Sequence, residues 1–309
     1  ARNTSTKVVY FFYTSQLFPT VSITGTHCEL NCKHCGRILL RKLIPTLKPE
    51  NLVKICQQFD RQGAIGVLLS GGCTSDGIVP LDDFYDSIKS VKEKTDLILV
   101  THPGMVNYQQ AKLMKEVGID GAFVDIVGDP VTAKEIYGKE FKQEDYIKML
   151  KGLKKAGIEI ISPHICVGLH YGQIRGELKA LEIISKIDPS VLVITALMPL
   201  RGTPLENFKP NPIDVGKIIA IAKLIFPKTP IALGCAHSKG IDRSKIDELA
   251  IKAGATQIAI PTPVANKVAK SLGIKTISLN SCCAIPANYL LNLNNPNIFV
   301  DQTKSIGDI

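Results

Sequence analysis

The regular alternation of short apolar runs with helical patterns constrains the fold of this chain most strongly. Eight apolar runs follow one another, at residues 21–24, 64–70, 97–101, 121–125, 159–164, 191–196, 230–234 and 257–260. Helical patterns follow the first seven runs, for example at 52–59, 81–92, 107–117, 143–156 and 176–187. Strands with little polar alternation are typical of a parallel sheet buried on both faces. The pattern predicts an α/β chain folded as a TIM-type (β/α)8 barrel, whose functional groups collect at the carboxyl ends of the strands.

Length and composition favour a single domain. A chain of 309 residues with 45% apolar content is large enough for one such barrel. We predict one domain over residues 1–309, with the barrel core at about 20–262. A short N-terminal extension contains the apolar run 8–12, and a C-terminal tail covers 263–309. In that tail, residues 275–279 resemble a further strand and lead into Ser281, Cys282 and Cys283.

Charge and cysteine content narrow the class of protein. No apolar run reaches the roughly 18 residues that a membrane span requires, and the N-terminus lacks a signal-peptide pattern. Nine cysteines in such a chain indicate a reducing cytoplasm. The net charge of +9 comes from lysines on helix patterns such as 148–155, which are typical of solvated faces. No interleaving of aromatic and basic residues indicates nucleic acid, whereas a basic surface favours an acidic protein partner.

Three cysteines form the strongest chemical signal. Cys28, Cys32 and Cys35 have the spacing C-x3-C-x2-C and follow the first predicted strand. Three thiolates this close together hold three irons of a [4Fe-4S] cluster and leave the fourth iron open. The alternatives are a zinc knuckle and three unrelated thiols. Zinc sites favour four ligands in paired C-x2-C units, and the sequence has no second pair of that spacing.

Glycine-rich and polar turns follow the later strands. Gly71 and Gly72 follow the second strand in Ser-Gly-Gly-Cys, and Asp125 ends the fourth. The fifth strand leads into the segment 167–177, with Gly168 and Tyr171, and the sixth into 198–206, which begins at Met198. Taken singly, the glycines are also consistent with a tight turn, and Asp125 with a helix cap.

In this order, the motifs resemble those of the radical S-adenosylmethionine (SAM) superfamily over residues 20–262, and most closely its biotin synthase branch. The resemblance implies that the open iron binds the amino and carboxylate groups of SAM. An electron from the cluster then cleaves SAM to a 5′-deoxyadenosyl radical, which abstracts hydrogen from an unactivated carbon. It also implies SAM-binding roles: Gly71 and Gly72 at the methionine amino group, Asp125 at the ribose, the turn of Gly168 and Tyr171 around the adenine, and the segment at Met198. The family has a glutamate where this chain has Cys73.

The remaining cysteines suggest a second cluster. Biotin synthase holds its sulfur-donating cluster with residues that correspond here to Leu69, Val100, Ile161 and Ala232, none of which binds iron. Instead, five cysteines lie at or just beyond predicted strand ends: Cys73, Cys166, Cys235, Cys282 and Cys283. We predict that Cys282, Cys283, Cys235 and Cys73 hold a second [4Fe-4S] cluster, with Cys166 competing for the place of Cys73. The alternative is that they are buried thiols acting as small apolar side chains, as expected for Cys56 on its apolar helix face.

Six histidines add weaker signals. His27 and His34 flank the cluster cysteines and are expected to shape that loop. The other four fall near strand ends or in the loops beyond them: His102, His164, His170 and His237. Their positions are equally consistent with contact to substrate or SAM and with a supporting role in the core.

The Ser-Gly-Gly-Cys turn together with Ser-Cys-Cys resembles one component of the two-protein lipoyl synthases. That resemblance implies insertion of sulfur at C6 or C8 of an octanoyl chain, with the second cluster consumed as sulfur donor. It implies three partners: an acidic octanoylated (lipoyl) carrier protein, a second radical SAM component, and a low-potential electron donor such as ferredoxin. The alternatives are a single-cluster mutase or maturase of the same branch and a non-catalytic iron–sulfur carrier.

Overall fold

All strands in the described part of the chain belong to one parallel sheet. The computed structural model describes residues 7–14, 17–236, 241–293 and 295–300. Within these ranges the strands are β1 (Val8–Phe12), β2 (Thr20–Ser22), β3 (Ile44–Pro45), β4 (Gly66–Ser70), β5 (Ile98–Thr101), β6 (Gly121–Asp125), β7 (Ile160–Val167), β8 (Leu192–Ala196), β9 (Ile231–Leu233), β10 (Gln257–Ala259) and β11 (Lys275–Leu279).

Helices alternate with most of the strands. They are α1 (Pro49–Arg61), α2 (Tyr85–Lys94), α3 (Tyr108–Glu116), α4 (Pro130–Thr132), α5 (Gln143–Lys155), α6 (Glu177–Ile184), α7 (Pro212–Ile225), α8 (Ile241–Lys252), α9 (Pro263–Ser271) and α10 (Ala287–Leu291). Short 3₁₀ turns lie at Leu39–Lys42, Asp82–Phe84 and Pro296–Ile298, and a π-helical turn at Ala133–Tyr137 continues α4. Of the helices described, none is both long and apolar enough to cross a membrane.

The sheet curls into an open barrel. Its strand order is β11-β1-β10-β9-β8-β7-β6-β5-β4-β2-β3, and neighbouring strands are parallel throughout. The predicted TIM-type fold is confirmed, and all eight predicted strands are present to within a few residues. The sheet differs from a closed eight-stranded barrel because β3 and β11 form its two edges.

The main correction concerns the N-terminal extension. Residues 8–12 form β1, which pairs with β10 on one side and β11 on the other. Its apolar run is short and no helical pattern follows it, so the repeat pattern gave no reason to count it as a strand. In the fold, Phe11 and Phe12 are buried on opposite faces of the sheet, which is what holds this strand in place.

The barrel interior is filled by the C-terminal segment. Alternate strand residues such as Ile98 and Val100 face inward, whereas Leu97 and Leu99 pack under the helices. The side chains that face inward pack against the segment that follows β11. The buried residues of that segment are Cys283, Ala284, Ile285, Ala287 and Leu290. The segment that was predicted as a tail is therefore part of the barrel core.

Buried hydrogen bonds fix this segment in the barrel. The hydroxyl of Ser162 donates to the carbonyl of Ala284 at 2.6 Å. The side-chain amide of Gln257 donates to the carbonyls of Cys283 (2.7 Å) and Ile285 (3.2 Å), and its oxygen accepts from the N–H of Ala287 at 3.1 Å. Because all of these groups are buried, their geometry determines where Cys282 and Cys283 lie.

Candidate active site

The cysteine loop follows β2 at its carboxyl end. The Ser22 hydroxyl donates to the carbonyl of Gly25 at 2.7 Å and closes the first turn. The N–H groups of Cys35 and Gly36 both donate to the carbonyl of Cys32. Gly36 and Arg37 then have φ angles of 50° and 62°, in the left-handed region. These turns fold the C-x3-C-x2-C segment back on itself, which brings its thiols to one side.

The thiols of this loop already interact. Cys32 donates a hydrogen bond to Cys35, and this bond is the main reason why the pKa of Cys35 falls to about 6. Electrostatic interactions with His34 and Arg37 lower the pKa of Cys35 further, whereas the same hydrogen bond and burial raise the pKa of Cys32. The backbone N–H of Cys73 donates to the sulfur of Cys28 at 3.3 Å. The loop therefore favours thiolate at Cys35 and offers a backbone donor to Cys28.

These features fit an iron–sulfur cluster. Thiolate is the form that binds iron, and a hydrogen bond from N–H to sulfur is a usual way to stabilise it. Nδ1 of His34 is buried beside the loop without a partner in the described residues. In the described residues, no three His, Cys, Asp or Glu side chains are arranged to hold a single metal ion. Each thiolate of a cluster binds a different iron, so its ligands stand farther apart than those of a single ion, and Cys28, Cys32 and Cys35 would provide three such soft sulfur ligands.

The glycines after β4 permit close contact with this loop. The N–H of Gly72 donates to the hydroxyl of Thr24 at 2.6 Å, and that hydroxyl donates to the carbonyl of His27. A Cβ atom on Gly72 would overlap the His27 carbonyl and Cys28, and would lie 2.6 Å from the Cα of Cys28. Gly71 is less crowded, since its nearest neighbour would be the Thr24 hydroxyl at 3.0 Å. Close backbone approach is therefore the reason for glycine at 72.

Asp125 opens onto a cleft at the ends of β6 and β7. Asp125, Tyr137, Cys166 and Glu177 are among the residues that line this cleft. Asp125 is exposed, unlike the four residues of β6 that precede it. Within the described residues it makes no helix-capping hydrogen bond, whereas Asp129 caps α4 by accepting from the N–H of Thr132. An exposed carboxylate at this cleft is consistent with the predicted ribose contact.

The predicted adenine turn is built around a buried carboxylate. Gly168 has a φ angle of 76° and donates its N–H to Glu177 at 2.8 Å. The other oxygen of Glu177 accepts from the N–H of Arg175 at 2.6 Å. Burial raises the pKa of Glu177, and these backbone hydrogen bonds oppose that rise. The sequence analysis does not include Glu177 among the site residues. A glutamate at the start of a helix, directly after a glycine-rich turn, was a sequence signal that could have indicated it.

Tyr171 connects this turn to the cysteine loop. Its hydroxyl accepts a hydrogen bond from Nζ of Lys33 at 2.9 Å, and its ring meets Phe208 edge-on. Lys33 lies between two cluster cysteines, and nothing in the sequence indicated that contact. Met198 is half-buried just beyond β8, next to the buried Leu197 of the same region.

Three of the remaining cysteines come together in the barrel. Cys282 accepts a hydrogen bond from Cys283, which lowers the pKa of Cys282 and raises that of Cys283. Burial raises the pKa of Cys235 to about 11, and the charge of Cys282 adds to that rise. Cys235 is an exposed residue, and its thiol still interacts electrostatically with Cys282.

The other two cysteines lie elsewhere. Cys73 is near Cys28 and Cys35, and Cys166 lines the cleft near Asp125. Cys235, Cys282 and Cys283 are therefore within electrostatic reach of one another, whereas Cys73 and Cys166 lie beside other groups. The four residues predicted to correspond to the second-cluster ligands of biotin synthase are buried and apolar: Leu69, Val100, Ile161 and Ala232.

Two half-buried histidines form a pair in the barrel. The rings of His102 and His164 are 5.3 Å apart, and both contact Phe123. Burial lowers both pKa values, that of His164 to about 4, so both rings are neutral near pH 7. Of the other candidates, His170 contacts Thr132 and Arg175, whereas His237 lies outside the described residues.

Comparisons with known proteins identify the family of the chain. The model of the radical SAM superfamily matches residues 22–175, and that of the biotin and thiamin synthesis associated domain matches residues 194–296. Biotin synthase of Neorickettsia sennetsu (strain ATCC VR-367 / Miyayama) is 28% identical over 255 residues, which cover 79% of this chain and 75% of that protein. The chain is thus a radical SAM enzyme. Within that superfamily it belongs to the biotin synthase branch.

Solved structures show the same fold at low sequence identity. A methylornithine synthase has a TM-score of 0.62 and 19% identity, covering 92% of this chain and 86% of that one. A maturase of the [FeFe]-hydrogenase also has a TM-score of 0.62, with 17% identity, covering 82% of this chain and 57% of that one. At these identities the likeness concerns the fold alone.

Proposed function

We propose that the chain is a sulfur-inserting radical SAM enzyme and acts as one component of a two-protein lipoyl synthase. The observation that supports this proposal is the group of three thiols at Cys235, Cys282 and Cys283. Sulfur insertion needs a sulfur source beside the substrate carbon, and a second cluster supplies one. The biotin synthase relatives make sulfur insertion plausible, although the chain lacks the ligands of their second cluster.

The cofactors supply the radical chemistry and the sulfur, and the protein positions them. Cys28, Cys32 and Cys35 would hold the SAM-cleaving cluster at the end of β2. Gly72 lets the turn after β4 approach that cluster, and Asp125 presents a carboxylate to the ribose hydroxyls. The buried C-terminal segment holds Cys282 and Cys283 inside the barrel, where water is excluded from a reactive carbon.

An acidic carrier protein is the partner that suits this surface. The substrate would be an octanoyl chain attached to such a carrier, which the net charge of +9 would attract. A second radical SAM protein would insert the other sulfur, and a ferredoxin would deliver electrons.

Two experiments test this function on anaerobically reconstituted protein. With two clusters the wild type binds about eight irons, and each triple variant, Cys28/Cys32/Cys35→Ala or Cys235/Cys282/Cys283→Ala, binds about four. With an octanoylated carrier and sulfide-labelled clusters, the wild type forms a thiolated octanoyl product that carries the label. The Cys235/Cys282/Cys283→Ala variant is expected to cleave SAM without forming that product.

The outcomes separate the alternatives. About four irons in the wild type and almost none in the Cys28/Cys32/Cys35→Ala variant would leave a single-cluster enzyme of this branch. Thiolated product from the Cys235/Cys282/Cys283→Ala variant would contradict the proposed sulfur donor. Cys56→Ala is the matched control, because Cys56 is fully buried on α1 with apolar neighbours.

A further inference from the structure

Lys33 joins the cysteine loop to the turn that follows β7. Its Nζ donates to the hydroxyl of Tyr171 at 2.9 Å and lies 5.6 Å from the centroid of the same ring. In the sheet, β2 and β7 are separated by β4, β5 and β6. The contact therefore connects segments that follow two strands that are not neighbours, and the cysteine loop must extend across the carboxyl edge of the sheet to make it.

The tyrosine end of this contact is held in place by its surroundings. Tyr171 has a φ angle of 50°, in the left-handed region that a bulky side chain rarely adopts. Its ring meets those of His170 and Phe208 edge-on, with centroids 5.1 Å and 5.3 Å away. A backbone conformation of this kind persists only where the surrounding structure determines it. The hydroxyl therefore has a fixed position, to which the long side chain of Lys33 reaches.

The backbone of the cysteine loop contacts the same region. The N–H of Lys33 donates to the carbonyl of Ile136 at 2.8 Å. The ring of His34 lies 5.0 Å from that of Tyr137, which lines the cleft onto which Asp125 opens. The turn that follows β7 lines this cleft too. Lys33 thus lies where the cysteine loop meets two segments that line the cleft.

The predicted SAM contacts fall on both sides of this junction. The methionine end of SAM is expected at the cysteine loop and the adenine at the turn that follows β7, so the affinity for SAM depends on how these two segments are spaced. We propose that Lys33 is a positioning residue that sets this spacing through its hydrogen bond to Tyr171. The inference rests on membership of the radical SAM superfamily and is independent of sulfur insertion.

The test is SAM binding to the full reconstituted chain, measured by equilibrium dialysis. Lys33→Met removes the donor and Tyr171→Phe removes only the hydroxyl. Each should weaken SAM binding roughly threefold to tenfold, because each removes the same hydrogen bond. The double variant should bind SAM as each single variant does, since two residues that act through one bond are not additive. Lys33→Arg, which keeps a donor on a long side chain, should recover most of the lost affinity.

Fragments of SAM separate positioning from damage to either segment. L-Methionine occupies only the cluster end and 5′-deoxyadenosine only the adenine end, so neither depends on the spacing of the two segments. Both fragments should bind Lys33→Met and the wild type equally, whereas SAM should distinguish them. If methionine binding weakened in Lys33→Met as much as SAM binding, the defect would lie in the cysteine loop itself and the proposal would be overturned.

Lys154→Met is the matched control. Lys154 is exposed, its Nζ also makes one contact with a distant residue, Asp188 at 3.4 Å, and it does not line the cleft. Its SAM affinity should equal that of the wild type, and iron content should be the same in all of these variants. Wild-type SAM affinity in both single variants, or fully additive losses in the double variant, would contradict the proposal. Because neither measurement involves a thiolated product, failure of sulfur insertion is distinguishable from failure of this inference.

Discussion

At the scale of single residues, this site depends on how closely two backbone segments approach. Gly71 and Gly72 are neighbours of the same type, and neither has the left-handed backbone that requires glycine. They differ in surroundings: a Cβ on Gly72 meets backbone atoms of the cysteine loop, and one on Gly71 meets a threonine side chain. Backbone atoms in a tight loop yield less readily than a side chain. The two positions therefore form a matched pair.

We expect Gly72→Ala to disrupt the cysteine loop and Gly71→Ala to leave it largely intact. The added methyl group at 72 must push Cys28 and the His27 carbonyl away, whereas at 71 only the Thr24 side chain must adjust. Iron content after reconstitution is the measurement, with the loss of about four irons expected in Gly72→Ala only. Equal iron content in the two variants would contradict the inference that the cysteine loop requires glycine at position 72.

At the scale of secondary-structure elements, the C-terminal segment differs most from what the sequence suggested. Pro286 and the asparagines that follow were consistent with a surface tail, and no periodicity marked the segment as core. The strands could be predicted because each is a continuous apolar run, and so could the C-x3-C-x2-C loop because its spacing is specific. The contact of Lys33 with Tyr171 could not, since the two residues are 138 positions apart in the chain.

Gln257 is the side chain on which this segment depends. Gln257→Leu keeps the volume but leaves two buried carbonyls and one buried N–H without partners, so we expect a loss of roughly 2–4 kcal/mol in the free energy of unfolding. Under the proposed function, the irons of the second cluster should also be lost, since these bonds hold the segment that carries Cys282 and Cys283. Chemical denaturation and iron analysis measure the two effects. Gln58→Leu, at an exposed position of α1, is the control and should change neither.

At the scale of the whole molecule, the excess of positive charge has a consequence for partner binding. Under the proposed function, an acidic carrier protein is attracted over distances longer than a hydrogen bond. Such attraction is screened by salt, because the Debye length falls to about 3 Å at 1 M ionic strength.

Association with an octanoylated acidic carrier domain should slow by roughly tenfold between about 0.05 M and 0.5 M salt, with little change in the dissociation rate. Stopped-flow fluorescence with a labelled carrier measures both rates. Lys148/Lys151/Lys155→Gln removes three of the nine net positive charges and should reduce the salt dependence. An association rate that does not vary with salt would argue against an acidic partner.

The position of the C-terminal segment also sets an order for maturation. The first cysteine loop and the turn that follows β4 are complete once synthesis has passed residue 78, because both lie before that residue. Cys235 can approach Cys282 only after synthesis has passed residue 282. A nascent chain can therefore receive iron at the first cysteine loop before Cys282 and Cys283 exist, and β1 must wait for its neighbour β11 until synthesis has passed residue 279.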